Sequence, residues 1–381
     1  MDRQSDSQYS HVGVVTMLDD ISVLPNPSEK RLNTRQIDDY RSEREDCLRW
    51  LLAFGKDPET ADGYALGTVK SRSHRMDQFY RWVWSEENGY TTGITHHHAD
   101  EWMQELAYEE YSDAHRSCCQ KSVQMLFKWR AHERGGEVWE PEIRFSSGDK
   151  TTTPRDHLTR TERRMIREAS LEYGSIPTYN NLTPEARDTW RAYLARRFEK
   201  PKEDVAPDDF ERANNWKIPS LVSVGLDAGL RPIEVERAVT SWVDLPNGLL
   251  RIPKEESSKN EENWRVSLGD RSVEMLEKWL DQRAQYDKYD GRDQLWLTRE
   301  GNTYGSSALR RVLRKLCDIA GIDYENRQMS WYSVRHSTGT YMTREEDLAA
   351  AQAQLRHKSP ETTMKYDQAP IEDRQDALNR M

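Results

Sequence analysis

The sequence predicts a mainly α-helical protein with one small antiparallel β-sheet, divided into two domains. Three observations carry this. Long segments repeat apolar residues every three to four positions, one region holds three short β-prone runs, and an unpatterned stretch at 140–157 separates two lengths that can each bury a core.

Residues 1–33 are polar apart from Val14 to Leu18 and read as a flexible N-terminal arm. Residues 34–139 read as a helical domain. Thr68–Trp84 carries Met76, Phe79, Tyr80 and Val83 at i, i+3, i+4, i+7 spacing, with Lys70, Arg72, Arg75 and Arg81 on the other face. A second helix, about Ala114 to Arg134, turns Cys119, Val123, Leu126 and Phe127 inward and leaves Arg116, Lys121 and Lys128 off that stripe. Gly135-Gly136 ends it. Two helices pairing a core stripe with basic residues suit a DNA duplex. Charged helix faces are also commonly just solvated, and both readings stand at this point.

His96-His97-His98 suggests a metal site. Consecutive helical residues point in different directions, so one ion cannot easily use all three. The run reads as the start of the helix containing Trp102, Met103 and Leu106, and no metal is expected.

The 140–157 segment, rich in Pro, Gly, Ser and Thr, reads as the linker. Thr159-x-x-Glu162 is a capping box that opens the second domain, 158–381. Within it Trp242–Leu245, Leu249–Pro253 and Trp264–Leu268 are the β-prone runs, separated by Pro246-Asn247-Gly248 and by the polar turn Lys254–Asn263. A helix over Ser272–Arg283 follows.

Composition bounds the function. Charged residues make up 32% of the chain, but 13 Trp and 17 Tyr argue against disorder. No segment is long and apolar enough to span a membrane, and no leader is visible, so a soluble cytoplasmic protein is expected. Cys47, Cys118, Cys119 and Cys317 form no C-x-x-C pair and read as reduced thiols. The net charge of −10 opposes phosphate binding unless the acidity is a general surface adaptation. With 16 Lys against 40 Arg among abundant Asp and Glu, the chain resembles proteins of high-salt cytoplasm, and a halophilic source is expected.

Breaking a DNA phosphodiester without metal or nucleotide cofactor needs a nucleophile in line with phosphorus, cations on the non-bridging oxygens, and an acid for the leaving 5′ oxygen. Arginine suits the clamp because guanidinium is planar, permanently charged and bidentate; lysine suits the acid because its pKa moves readily. A tyrosine nucleophile stores the bond energy as phosphotyrosine. The chain supplies these parts in order: Asp227-Ala-Gly-Leu-Arg231-Pro-Ile-Glu234-Val, the turn Lys254–Asn263, Trp331-Tyr332-Ser333-Val334-Arg335-His336-Ser337, and Leu355-Arg356-His357 nine residues before Tyr366.

This series resembles the tyrosine recombinase (phage integrase) family, and within it site-specific recombinases of XerC/D type. The resemblance covers the second domain and extends weakly to the first, which looks like the family's helical, SAM-like core-binding domain. It implies an α+β catalytic domain and a C-shaped clamp on double-stranded DNA. Arg231 and Arg335 would hold the scissile phosphate and His357 would hydrogen-bond it. Tyr366 would attack, forming a 3′-phosphotyrosyl link. The family's hairpin lysine would be Lys259, with Lys254 as runner-up. Glu234 would brace the site, unless it is a surface ion-pair partner. His336 reads as structural.

Two positions depart from the pattern. The family's leading histidine is Tyr332 here, which would assist His357 by hydrogen-bonding the phosphate, although a phenol, with a pKa of about 10, is a poor proton acceptor at neutral pH. The glycine before the later histidine is Arg356. The resemblance further implies a tetramer on DNA, a monomer when free, and Asp367–Met381 as a protomer contact. Two other readings share the scaffold: a type IB topoisomerase that nicks and reseals one duplex, and a DNA-binding regulator without catalysis.

Overall fold

A computed structural model of the protein describes residues 18–146, 156–257, 262–367 and 371–381, the side chains of 371, 372 and 376 excepted. The chain divides into two compact units, residues 1–152 and 153–381.

The first unit is helical: α1 (Thr34–Ala53), α2 (Leu66–Glu86), α3 (His96–Tyr108) and α4 (Asp113–Arg134). The apolar stripes meet as their periodicity requires, with Met76, Phe79, Tyr80 and Val83 of α2 and Cys119, Val123, Leu126 and Phe127 of α4 all buried. Two buried carboxylates knit the bundle. Asp77 accepts from Tyr40 Oη (3.0 Å) and Arg81 Nε (3.0 Å), and Glu43 from Tyr80 Oη (2.8 Å) and Arg130 (3.1 Å).

The part of the expected arm that is described is not loose. Leu18 and Ile21 are buried in this core, Asn26–Glu29 makes one helical turn, and Ser28 hydrogen-bonds Asp77. Val23, Leu24 and Leu32, partly buried, pack against the same core.

The triple histidine opens α3. Thr95 caps the helix, and His98 returns the bond through Nδ1, with its Nε2 2.9 Å from Glu87. No group of three or more His, Cys, Asp or Glu among the described residues is placed to hold a metal ion. No described helix is long and apolar enough to cross a membrane. The four cysteines are free thiols.

The second unit opens on α5 (Arg160–Glu172), where Thr159 and Glu162 form the capping box. Then come α6 (Pro184–Arg197), α7 (Pro207–Arg212), α8 (Lys217–Ala228) and α9 (Pro232–Arg237). Helix α8 is apolar around nearly its whole circumference, so it is buried, packed among α5 and two later helices, α10 (Asp270–Arg283) and α12 (Trp331–Glu345), while α11 (Ser306–Ala320) packs on α5.

Between α9 and α10 lies a three-stranded antiparallel sheet, β1 (Val243–Asp244), β2 (Leu249–Ile252) and β3 (Trp264–Ser267), in sequential order. Its register pairs Leu250 with Val266 and Ile252 with Trp264, which puts Leu250, Ile252 and Val266 on the core face. The chain ends with α13 (Leu348–Leu355), α14 (Pro360–Met364) and α15 (Ile371–Arg380).

Candidate active site

The site forms where α8, α9, α12 and α13 end or begin near one another. Helix α8 stops at Gly229, whose φ of +54° is the left-handed value that terminates helices. Two residues on, Arg231 is the N-cap of α9. Its amide donates to Glu234 Oε2 (2.7 Å) and its guanidinium to Glu234 Oε1 (2.8 Å). Glu234 is 1% exposed, which rules out the surface ion-pair reading.

The residue that sequence reasoning left unexplained completes this brace. Arg356 ends α13 with φ +57°, the conformation for which glycine is the usual choice. Its side chain is buried. It donates to Glu234 Oε2 (2.7 Å) and to the carbonyls of Ala228 (2.8 Å), Gly229 (3.1 Å) and Gln354 (2.7 Å). The carbonyls left open at the end of α8 are thus satisfied by a guanidinium from α13. The only sequence signal was the departure from glycine.

Burial pushes the Glu234 carboxyl up, but the charges of Arg356, Arg231 and Arg335 outweigh it and hold it at about 2. Burial, with Arg356 and Arg231 adding to it, lowers Arg335 to about 9, so the group stays cationic at neutral pH.

Arg335, on α12, donates to the carbonyls of Gly229 and Leu355 and to His357 Nε2 (3.0 Å). Because Nε2 accepts, His357 carries its proton on Nδ1 and donates to Thr363 Oγ1, 2.9 Å away. Burial and the nearby charges of Arg335 and Arg231 push His357 down to about 3, so it is a neutral imidazole.

The Tyr366 ring stacks on His357, centroids 5.9 Å apart and planes 5° off parallel. Its hydroxyl lies 2.9 Å from His336 Nδ1. The ring sits against Gly339, where a Cβ would come within 2.7 Å of Leu355 Cδ1 and 3.0 Å of the Tyr366 ring. Gly339→Ala is therefore expected to cost about 1–3 kcal/mol in urea unfolding. A cost near zero would mean that the ring has room to move.

Arg231, Glu234, Arg335, His357 and Tyr366 thus come together. Tyr332 lies beside them, on the first turn of α12, 39% exposed and with its ring 6.3 Å from that of His336. Lys259 lies outside the described residues. Lys254 is exposed at the end of β2, where its amide donates to Asn263 Oδ1 (2.8 Å).

The basic residues of the first unit divide into two kinds. Lys70 and Lys121 are exposed. Several others have structural duties: Arg72 donates to Cys118 O (2.8 Å), Arg75 to Ser71 O (2.8 Å), Arg81 to Asp77, Arg116 to Glu109 O (2.6 Å) and Lys128 to Gly55 O (2.8 Å). A basic helix face does not reveal which cations the fold itself consumes.

Chemically, the cluster offers two guanidiniums held from behind, a neutral imidazole, and a phenol hydroxyl hydrogen-bonded to a second imidazole. Residues 209–371 match the sequence model of the phage integrase family. Among solved structures, the chain is similar to the XerH site-specific recombinase bound to palindromic difH substrate in a post-cleavage complex. That match has a TM-score of 0.54 and 14% identity over 91% of this chain and 88% of that one. It is also similar to the Tn1549 transposon integrase in complex with transposon right end DNA, with a TM-score of 0.53 and 12% identity over 88% of this chain and 98% of that one. At these identities the likeness is one of fold. No curated protein sequence matches the chain.

Proposed function

We propose that the protein is a site-specific tyrosine recombinase of the phage integrase family, whose sequence model residues 209–371 match, and that it cleaves and rejoins double-stranded DNA through Tyr366. The observation that carries the reading is the convergence of Arg231, Arg335 and His357 around one buried tyrosine.

A phosphodiester placed against this cluster meets the guanidiniums of Arg231 and Arg335, the second of them still cationic at neutral pH despite its burial. In a site of low dielectric such preorganised cations stabilise the charge that develops on the non-bridging oxygens far better than water does. Glu234 and Arg356 act from behind. Glu234 fixes the Arg231 guanidinium, and Arg356 keeps Glu234 ionised, so the clamp needs no rearrangement when substrate arrives. Tyr366 Oη attacks phosphorus, the 3′-phosphotyrosyl bond stores the energy of the broken one, and a 5′-hydroxyl later reverses the step.

The leaving 5′ oxygen takes its proton from the hairpin lysine, Lys259 in this reading. DNA is the partner. The exposed Lys70 and Lys121 are the first-unit cations best able to touch phosphate, and exchange between two duplexes requires an assembly of four chains on DNA.

The test is a nicked duplex that loses its 5′ fragment after cleavage, incubated across a KCl series because of the acidic composition. A covalent adduct, together with strand exchange between duplexes, is expected. Adduct formation with relaxation of supercoils but no exchange would replace the recombinase with a topoisomerase. Absence of any adduct at every salt concentration would leave a DNA-binding protein without catalysis.

A further inference from the structure

The nucleophile needs a proton acceptor, and the position at which the resemblance places a histidine holds Tyr332. The structure brings a different histidine to the hydroxyl. His336 Nδ1 lies 2.9 Å from Tyr366 Oη, and both residues are buried. Positions 332 and 336 are four apart on α12 and so share one helix face, His336 one turn further along. The helix keeps an imidazole on that face but moves it to a depth where it meets the phenol directly.

We propose that His336 is the general base of strand cleavage. Resting on the reading of Tyr366 as nucleophile, the step is as follows. The Oη–H proton passes to His336 Nδ1 as Oη bonds to phosphorus and the bond from phosphorus to the 5′ oxygen breaks. That oxygen takes a proton from the hairpin lysine. On rejoining, the 5′-hydroxyl returns a proton to the lysine as it attacks, and His336 gives its proton back to the departing phenolate.

The other groups around Tyr366 do not fit the task. His357 Nε2 already accepts from Arg335, its Nδ1 faces Thr363, and its affinity for a second proton is very low. Tyr332 is a phenol of the same intrinsic acidity as the group it would deprotonate, so proton transfer to it gains nothing. Lys365 Nζ sits 5.0 Å over the face of the Tyr366 ring, where a cation favours the phenolate but accepts no proton. The charge of Arg335 nearby acts in the same direction.

The experiment is single-turnover cleavage of the nicked duplex by wild type and by His336→Gln, which keeps an acceptor for the hydroxyl but cannot take a proton. General-base catalysis contributes about 10²–10⁴-fold, and a loss of that order is expected. Placing 2,3,5-trifluorotyrosine, a more acidic phenol, at position 366 of the His336→Gln protein should restore most of the rate. A 5′-bridging phosphorothiolate, which eases departure of the leaving group, should not.

Cleavage by His336→Gln within about twofold of wild type overturns the proposal. So does a loss that the phosphorothiolate restores, which would put His336 on the leaving oxygen. A loss that neither change restores, in a protein of unaltered unfolding midpoint, would leave only a positioning role and also overturns it. His336→Asn serves if glutamine unfolds the protein. Absence of an adduct with wild type would instead sink the reading of Tyr366.

Discussion

Tyr366→Phe is expected to yield no covalent protein–DNA adduct, at any salt concentration at which wild type forms one. Phenylalanine keeps the ring, and with it the stacking on His357 and the contact at Gly339. It removes the oxygen proposed to attack and leaves His336 Nδ1 without the hydroxyl. Deleting one partner of a buried hydrogen bond costs about 1–3 kcal/mol. The variant should therefore remain folded, with a modestly lowered unfolding midpoint, and should still bind the duplex. A denaturing gel separates the two effects, because binding without covalent capture leaves no shifted band. An adduct of wild-type yield would show that another residue attacks.

Glu234→Ala is expected to be the most destabilising single change in the site, by about 3–5 kcal/mol, the cost typical of removing one partner from a buried ion pair. Glu234 joins Arg231 at 2.8 Å and Arg356 at 2.7 Å, and both carboxylate oxygens are used. Without it, two guanidiniums and the nearby Arg335 face one another with no counter-charge. Urea unfolding measures the loss, with the transition of the second unit followed separately. Adding Arg356→Gly should recover part of it, because the uncompensated buried charge goes and glycine accepts the positive φ. A cost below about 1 kcal/mol for Glu234→Ala would contradict the brace.

The same carboxylate gives a pH signature. Its folded pKa of about 2 lies below its ordinary value of 4.5, so the stability it contributes is complete above about pH 4.5. That stability drains away as pH falls toward 2. Wild type should therefore weaken over this acid range by more than Glu234→Ala does.

Much of the fold was legible because it rests on local physics. The stripes of α2 and α4, the capping box at Thr159 and the three β-prone runs all follow from the neighbours in sequence. Their limits differ from the sequence reading by one or two residues, as frayed ends do. The order of motifs carried the cluster of Arg231, Arg335, His357 and Tyr366.

What escaped was set by contacts between distant segments. Arg356 reads as a mere loss of glycine. Its role depends on carbonyls of Ala228 and Gly229, at the end of a helix more than a hundred residues earlier. His336 adjoins the clamp arginine in sequence, yet only the packing of α12 against the segment after α13 shows that it meets Tyr366 rather than the core alone. The duties of Arg72 and Lys128 were hidden for a similar reason, since a periodic charge pattern records a face and not its partners. Residues 18–33 looked loose because composition outweighs a few scattered apolar side chains in a short window, whereas in the fold Leu18 and Ile21 are buried and Val23, Leu24 and Leu32 pack beside them.

The most direct measurement is to trap the adduct on the nicked duplex, digest protein and DNA, and locate the linkage by mass spectrometry. The expected product is one tryptic peptide bearing a nucleotide through its 3′-phosphate on Tyr366. A linkage on Tyr332, on any other side chain, or through a 5′-phosphate would contradict Tyr366 as the nucleophile.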